Sequence, residues 1–149
     1  MTLTTILQSL LGSFVGTLGF AALIHAPRRS AVPASIIGAI AYMLYWVLLQ
    51  QGVSEPLAVF AGALVGAFSA QLMARRLHII STVFILLSIV AAVPGLGLYR
   101  FMAMLGAGEM GRAASVGVSA MICILMIAMG IASGGMLFRT VNRITQKKP

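Results

Sequence analysis

The sequence predicts an all-α integral membrane protein, organised as a single transmembrane helical domain over residues 1–149. Hydrophobic residues make up 60% of the chain and charged residues only 8%, whereas soluble domains carry about 25% charged residues. The hydrophobic residues fall into long runs that short polar segments separate, and about 20 apolar residues span a bilayer. We therefore expect about five transmembrane helices, the fourth of them broken at Pro94-Gly95.

The first three predicted helices have clear boundaries. Pro27, followed by two arginines, stops the first segment, and Gly52 follows the end of the second. Pro56 opens the third, because proline suits the first turn of a helix, where its missing N–H costs nothing. The predicted segments are 3–24, 32–49, 56–73, 79–93 and 113–138.

The fourth segment is too short to cross the membrane alone. Its fifteen residues, 79–93, cover about 22 Å of a hydrocarbon core about 30 Å thick. Pro94-Gly95 interrupts it, and a second short apolar piece continues to about Leu105 before a loop over 106–111. After the last helix, residues 139–149 form a basic tail that we expect in the cytoplasm.

The positive charges predict how the chain is oriented. With five crossings and the N-terminus outside, eight of the ten Lys and Arg residues fall on the inner side, and both acids, Glu55 and Glu109, fall outside. This is the positive-inside pattern. No positive charge precedes the first apolar run, so we expect an uncleaved first helix. The alternative, four crossings with a re-entrant fourth segment, leaves the basic tail outside.

Small residues at helical spacing predict close helix packing, because they let two backbones approach. Packing within the chain and contact with another subunit, including a second copy, both remain open for these faces. The candidate packing residues are Gly12, Gly16, Gly62 and Gly66. Gly19 follows Gly16 on the first helix, and Gly130 and Gly134 form a similar pair on the last helix.

The composition argues against several functional classes. No catalytic constellation, metal-ligand cluster or cofactor motif is present, so we expect no enzyme, no metal and no cofactor. Cys123 lies alone in an apolar segment, which indicates a buried, inert thiol. The basic residues are dispersed at positions that membrane topology favours, so we expect contact with membrane lipids and no nucleic-acid binding.

The element from Pro94 to Arg100 is the candidate substrate-binding site. Proline breaks a helix, Gly95 and Gly97 permit the turn, and the free N–H groups of the new helix favour an anion. The guanidinium of Arg100 fits a carboxylate bidentately, and Tyr99 can donate a hydrogen bond. The alternative interpretation is a simple kink, with Arg100 reaching the outer headgroups.

Four segments, taken together in this order and spacing, resemble the C-terminal membrane domain of the threonine/serine exporter (ThrE) family. They are GFAALIHAPRR, IIGAIAYMLYW, ARRLHIISTVF and VPGLGLYRFM, within residues 19–105. Relatives commonly carry proline where Ile80 and Ala91 stand here, so we expect this fourth segment to be regular up to Pro94.

The resemblance implies a small subunit of a two-component exporter in the bacterial cytoplasmic membrane, paired with a larger subunit of the same family. It implies export of a small carboxylate: threonine, serine or a dicarboxylate such as succinate. The alternative function is a non-transporting scaffold that stabilises the larger partner. A small channel is a weaker alternative, because few polar side chains are available to line a pore.

Overall fold

Six α-helices make up the part of the chain that the computed structural model describes, residues 3–90 and 95–146. No strand occurs within those residues, which confirms the all-α class. Three helices are long and apolar enough to cross a membrane: Arg29–Gln50, Glu55–Leu77 and Met110–Ile144. The full set is α1 Leu3–Leu23, α2 Arg28–Gln50, α3 Glu55–Leu77, α4 Ser81–Val90, α5 Gly95–Gly106 and α6 Met110–Gln146.

Two helices extend past the apolar segments that predicted them. α2 begins at Arg28, four residues before the predicted start, and contains Pro33 near its beginning. α6 continues from Arg139 to Gln146, through most of the predicted tail. Arginine is a good helix former, so a charge ends the apolar run without ending the helix.

Histidines end α1 and α3 in the same way. His25 and His78 adopt left-handed backbone conformations, with φ of 52° and 54°. The Ala26 N–H donates to the Ala21 carbonyl at 2.9 Å, closing the end of α1. Such a left-handed residue after the last turn satisfies carbonyls that would otherwise lack donors. Each turn then leads directly into the next helix.

α3 is the central helix, because it packs against α2, α4 and α6. Among the described glycines, Gly130 and Gly134 of α6 come closest to a neighbouring helix, and that helix is α3. A methyl group built on Gly130 would lie 2.7 Å from the Phe60 carbonyl oxygen, and one on Gly134 would lie 2.6 Å from the Leu64 carbonyl oxygen. Only glycine allows the two backbones to come this close. We call the contact of Gly130 and Gly134 with residues 60–68 of α3 the α3–α6 seam.

The same contacts show that α3 and α6 run in the same direction. Gly130 lies against Phe60, and Gly134, one turn later, lies against Leu64. The contacted position therefore moves towards the C-terminus on both helices together. Two antiparallel helices would show the opposite order, so the α3–α6 pair is parallel.

α6 extends well beyond the start of α3. Gly130 lies against Phe60 and Ala63, and twenty residues of α6 precede Gly130, while five of α3 precede Phe60 and eight precede Ala63. The difference of twelve to fifteen residues corresponds to about 18–22 Å along α6. This projecting part of α6 packs against α5, with the Phe101 ring beside Gly117.

α4 and α5 lie against different neighbours. α4 packs among α1, α2 and α3, and its Phe84, Leu87 and Ser88 are fully buried. α5 packs against α6. α4 and α5 are the parts of the predicted fourth segment that the structure describes, and residues 91–94, with Pro94, where the break was predicted, lie outside the described residues.

Candidate functional site

The described part of the predicted site consists of the first turns of α5. The described part of this helix begins at Gly95, directly after residues 91–94, which lie outside the described residues. Gly95 is exposed and has no atom of another described residue close to its missing side chain. In general, the first four N–H groups of a helix have no partner within it, and the helix dipole makes that end positive. Gly97 is partly buried in the following turn.

Tyr99 and Arg100 point away from the rest of the chain. The Tyr99 side chain is 68% exposed, and Arg100 is exposed beside it. Phe101, the next residue, fixes this orientation because its ring packs against Gly117 of α6. Successive helical residues differ by about 100°, so the contact through Phe101 turns Arg100 outward.

Arg100 has no hydrogen bond or ion pair within the residues that the structure describes. The ion pair found there joins Arg112 to Glu109 at 3.2 Å, with side chains 79% and 48% exposed. Glu109 is therefore engaged by a different arginine. None of the five guanidinium donors of Arg100 is therefore used within the described part of the chain.

The predicted packing glycines fall into two groups. Gly62 and Gly66 are buried where α3 meets α2, with the Ala41 carbonyl oxygen 3.0 Å from a methyl group built on Gly62. Gly12 and Gly16 are exposed, and nothing lies within 4 Å of either built methyl group. The Gly12–Gly16 face of α1 therefore makes no contact with the described part of this chain.

Buried hydroxyl groups form a feature of the bundle that sequence reasoning missed. Thr17, Ser35 and Ser88 are buried and donate to carbonyls of their own helices, for example Thr17 Oγ1 to the Ser13 carbonyl at 2.8 Å. The Ser13 hydroxyl oxygen is buried without a partner in the described structure. The spacing of Ser13 and Thr17, one turn apart, is the signal that could have indicated a polar face.

The few polar side chains that could line a pore, Ser69, Gln71, Ser81 and Thr82, are divided between α3 and α4. Ser81 and Thr82 are exposed at the start of α4, and Ser69 is partly buried in α3. The Gln71 amide nitrogen lies 3.0 Å from a methyl group built on Gly135, so this side chain lies beside the α3–α6 seam. These side chains are not gathered on a common lining.

The described residues contain no group of three or more His, Cys, Asp or Glu side chains that could hold a metal ion. His25 and His78 are exposed at helix ends. What the described site offers is donors: N–H groups at the start of α5, a guanidinium and a phenol. Such donors are chemically suited to an anion.

Comparison with known proteins supports the resemblance drawn from the motifs. Neither the curated proteins nor the solved structures gave a match. The family model described as "Threonine/Serine exporter, ThrE" matches residues 9–146, which includes α6, the helix that the motifs did not cover. That description is of a transporter and not of an enzyme. The chain therefore belongs to the threonine/serine exporter (ThrE) family.

Proposed function

We propose that this chain is the small membrane subunit of a two-component exporter of carboxylate-bearing metabolites, either threonine- and serine-type amino acids or succinate-type dicarboxylates. One observation carries the choice of site: Arg100 is exposed and unpaired in the described structure, directly after the first turn of α5. Family membership over residues 9–146 supports the transport function.

The proposed topology has five crossings in the bacterial cytoplasmic membrane, with the N-terminus outside and the C-terminus in the cytoplasm. The parallel packing of α3 and α6 supports it, because α3 would be the third crossing and α6 the fifth, and odd-numbered crossings all run in the same direction. A re-entrant fourth segment would make α6 antiparallel to α3. In this topology α4 and α5 together form the broken fourth crossing, and Arg100 lies towards the outer side.

The proposed substrate contact is a carboxylate at the start of α5. The free N–H groups and the helix dipole attract the negative charge, Arg100 donates two parallel hydrogen bonds, and Tyr99 adds a third donor. Hydrogen bonds to charged groups contribute about 1.5–3 kcal/mol each, so Arg100 supplies much of the affinity for a small substrate.

The larger subunit of the exporter is the proposed partner. Arg100 and Tyr99 face outward, so a neighbouring chain is needed to enclose a substrate that they bind. The Gly12–Gly16 face of α1 is a second uncovered surface, suited to close packing with another transmembrane helix. The chain has only two side-chain carboxylates, Glu55 in the first turn of α3 and Glu109 directly before α6, so we assign ion coupling to the partner.

A scaffold without a substrate site is the second candidate function. The observation that favours it is the same exposed Gly12–Gly16 face, which can hold a partner whether or not α5 binds substrate. Under this alternative Gly16→Leu disrupts the complex and Arg100 is dispensable. Under the exporter proposal both positions matter, each for a different reason.

The test is export of labelled threonine, serine and succinate from loaded cells that express this chain with the larger subunit. Arg100→Gln is compared with Arg112→Gln, which removes the same charge from an exposed outer arginine that is paired with Glu109. We expect Arg100→Gln to lower export at least tenfold at matched membrane levels, because a charge-assisted contact of about 1.5–3 kcal/mol is lost. Arg112→Gln should export within twofold of the wild type.

Two results would count against the proposal in different ways. Full export by Arg100→Gln, with dependence on both chains, assigns this subunit to the scaffold role. Export by the larger chain alone, without this subunit, removes it from the transport step altogether. A readout of complex assembly by co-purification separates loss of transport from loss of the partner.

A further inference from the structure

The C-terminal end of α6, which the proposed topology places at the cytoplasmic face, carries a basic surface cavity that the transport proposal does not use. This cavity is open to its surroundings, has a volume of about 400 Å³ and is lined, among the described residues, by Arg139, Thr140, Asn142 and Arg143 of α6. The two arginines are one helical turn apart, so their guanidinium groups flank the same space. Thr140 donates its hydroxyl to the Met136 carbonyl at 3.0 Å, which leaves the guanidinium groups and the Asn142 amide as donors towards the cavity.

No carboxylate side chain of this chain neutralises the two arginines. Arg139 and Arg143 have no ion pair or hydrogen bond within the described residues. The only two acidic residues of the sequence are Glu55, at the first turn of α3, and Glu109, before α6. Both lie at the opposite end of the parallel α3–α6 pair, so the charge at the cavity calls for an external anion.

An exposed apolar stripe leads from this cavity along α6. Leu125, Met129 and Met136 are 65%, 58% and 69% exposed, and Ala132 between them is exposed too. Spacings of three, four and seven residues place them on one face of the helix, continuous with Arg139. Gly130 and Gly134 lie on the opposite face, against α3, so this chain does not cover the stripe.

The dimensions of the stripe match one leaflet of a membrane. From Leu125 to Met136 is eleven residues, or about 16 Å along the helix, and half of the hydrocarbon core is about 15 Å. Arg139 is the first charged residue after an uncharged run that begins at Ala113. The cavity therefore lies at headgroup depth, where the hydrocarbon contact ends.

We propose that Arg139 and Arg143 bind the phosphate of an anionic glycerophospholipid, with an acyl chain lying along the Leu125–Met136 stripe. The phosphate oxygens accept hydrogen bonds from both guanidinium groups, a geometry that arginine suits better than lysine. A zwitterionic lipid also brings a positively charged headgroup to the cavity, so it should bind there more weakly than an anionic lipid. A free phosphate would satisfy the arginines and leave the apolar stripe unused, so the stripe favours the lipid.

The test is lipid binding by the purified full-length chain in neutral detergent, counted by native mass spectrometry. Phosphatidylglycerol, phosphatidylcholine and inorganic phosphate are titrated separately and in competition. A basic residue beside an anionic headgroup contributes about a fivefold preference for anionic lipid, so the two arginines that contact the bound phosphate predict a preference of about 25-fold for phosphatidylglycerol over phosphatidylcholine at this cavity. Arg139→Gln with Arg143→Gln should reduce that preference to less than about threefold.

The matched control removes the same charge from the neighbouring helix. Arg75→Gln with Arg76→Gln alters two exposed arginines in the last turn of α3 and should keep at least half of the preference. Equal loss in both double variants, or no loss in the α6 variant, would overturn the site. Displacement of phosphatidylglycerol by millimolar inorganic phosphate would identify a free-anion site and overturn the lipid assignment.

A second measurement addresses the acyl chain without altering either arginine. The only tryptophan, Trp46, is replaced by phenylalanine and a new one is placed by Met129→Trp, then quenched by lipids with brominated acyl chains. Brominated phosphatidylglycerol should quench it at a several-fold lower mole fraction than brominated phosphatidylcholine does. Equal quenching by the two lipids would refute the proposed position of the acyl chain. If co-expression of a larger subunit abolished the difference in quenching between the two lipids, the stripe would be assigned to a contact with that subunit.

Discussion

The substitution Gly134→Ala tests how closely α6 approaches α3. Its new methyl group would lie 2.6 Å from the Leu64 carbonyl oxygen and 3.1 Å from the Ala67 methyl carbon. An ordinary contact needs at least 3.4 Å, so the shortfall is about 0.8 Å. The obstructing oxygen belongs to a helix backbone and cannot rotate away, and the two helices must therefore separate.

The expected cost follows from two opposing terms. Overpacking of this kind destabilises by about 1–3 kcal/mol, while alanine gains up to about 1 kcal/mol over glycine in a helix. We therefore expect Gly134→Ala to lower the free energy of unfolding by about 1–2 kcal/mol. Gly16→Ala is the matched control, because nothing lies within 4 Å of its built methyl group, and it should be neutral or stabilising by up to about 1 kcal/mol.

Reversible unfolding of the purified chain in mixed micelles, followed by circular dichroism, measures both variants. A difference of about 1–3 kcal/mol between Gly134→Ala and Gly16→Ala is expected from the sum of these terms. If the two variants unfold at the same denaturant concentration, the α3–α6 seam does not hold the helices at the described distance.

Three further substitutions should follow the same physical reasoning, each measured by the same unfolding assay. Gly62→Ala should destabilise by less than Gly134→Ala, about 0.5–1 kcal/mol, because its nearest neighbour, the Ala41 carbonyl oxygen, is at 3.0 Å; a larger loss than for Gly134→Ala would contradict this ranking. Gly117→Ala should be nearly neutral although the Phe101 ring is at 2.8 Å, since a side chain can turn aside. His78→Gly should stabilise by up to about 1 kcal/mol, because glycine adopts the left-handed conformation at φ 54° without strain; destabilisation would show that the histidine side chain makes a needed contact.

Hydropathy predicted the helices well and their ends less well, for a physical reason. An apolar run records how far a segment can lie in hydrocarbon, whereas a helix continues as long as its backbone can hydrogen-bond. α2 therefore includes Arg28 and Pro33, and α6 passes Arg139 without interruption.

The sequence could not assign the glycine faces. Gly12 and Gly16 have the same spacing as Gly130 and Gly134, yet the first pair is exposed and the second lies in the α3–α6 seam. In a soluble helix a polar face would mark the outside. In a membrane the lipid is as apolar as the protein core, so that periodicity carries no information about which face is covered.

The sequence was enough to name the residues of the candidate site, but it could not predict how those residues are placed relative to the other helices. The turn at Gly95 and the charge at Arg100 are visible in the sequence, and their chemistry follows from the residues alone. The outward direction of Arg100 depends on Phe101 packing against Gly117, a contact between residues sixteen positions apart. No local pattern specifies that contact.

The projection of α6 beyond α3 also makes the chain well suited to chemical labelling. The turn at Ala107 is exposed and lies before the first residue of α6, about 18 Å or more beyond the start of α3, so we expect a charged thiol reagent to react with a cysteine there. The one native cysteine, Cys123, is only 2% exposed and should stay unlabelled. A cysteine placed at Ala107 would thus report, without removal of any other residue, which side of an intact membrane this turn occupies.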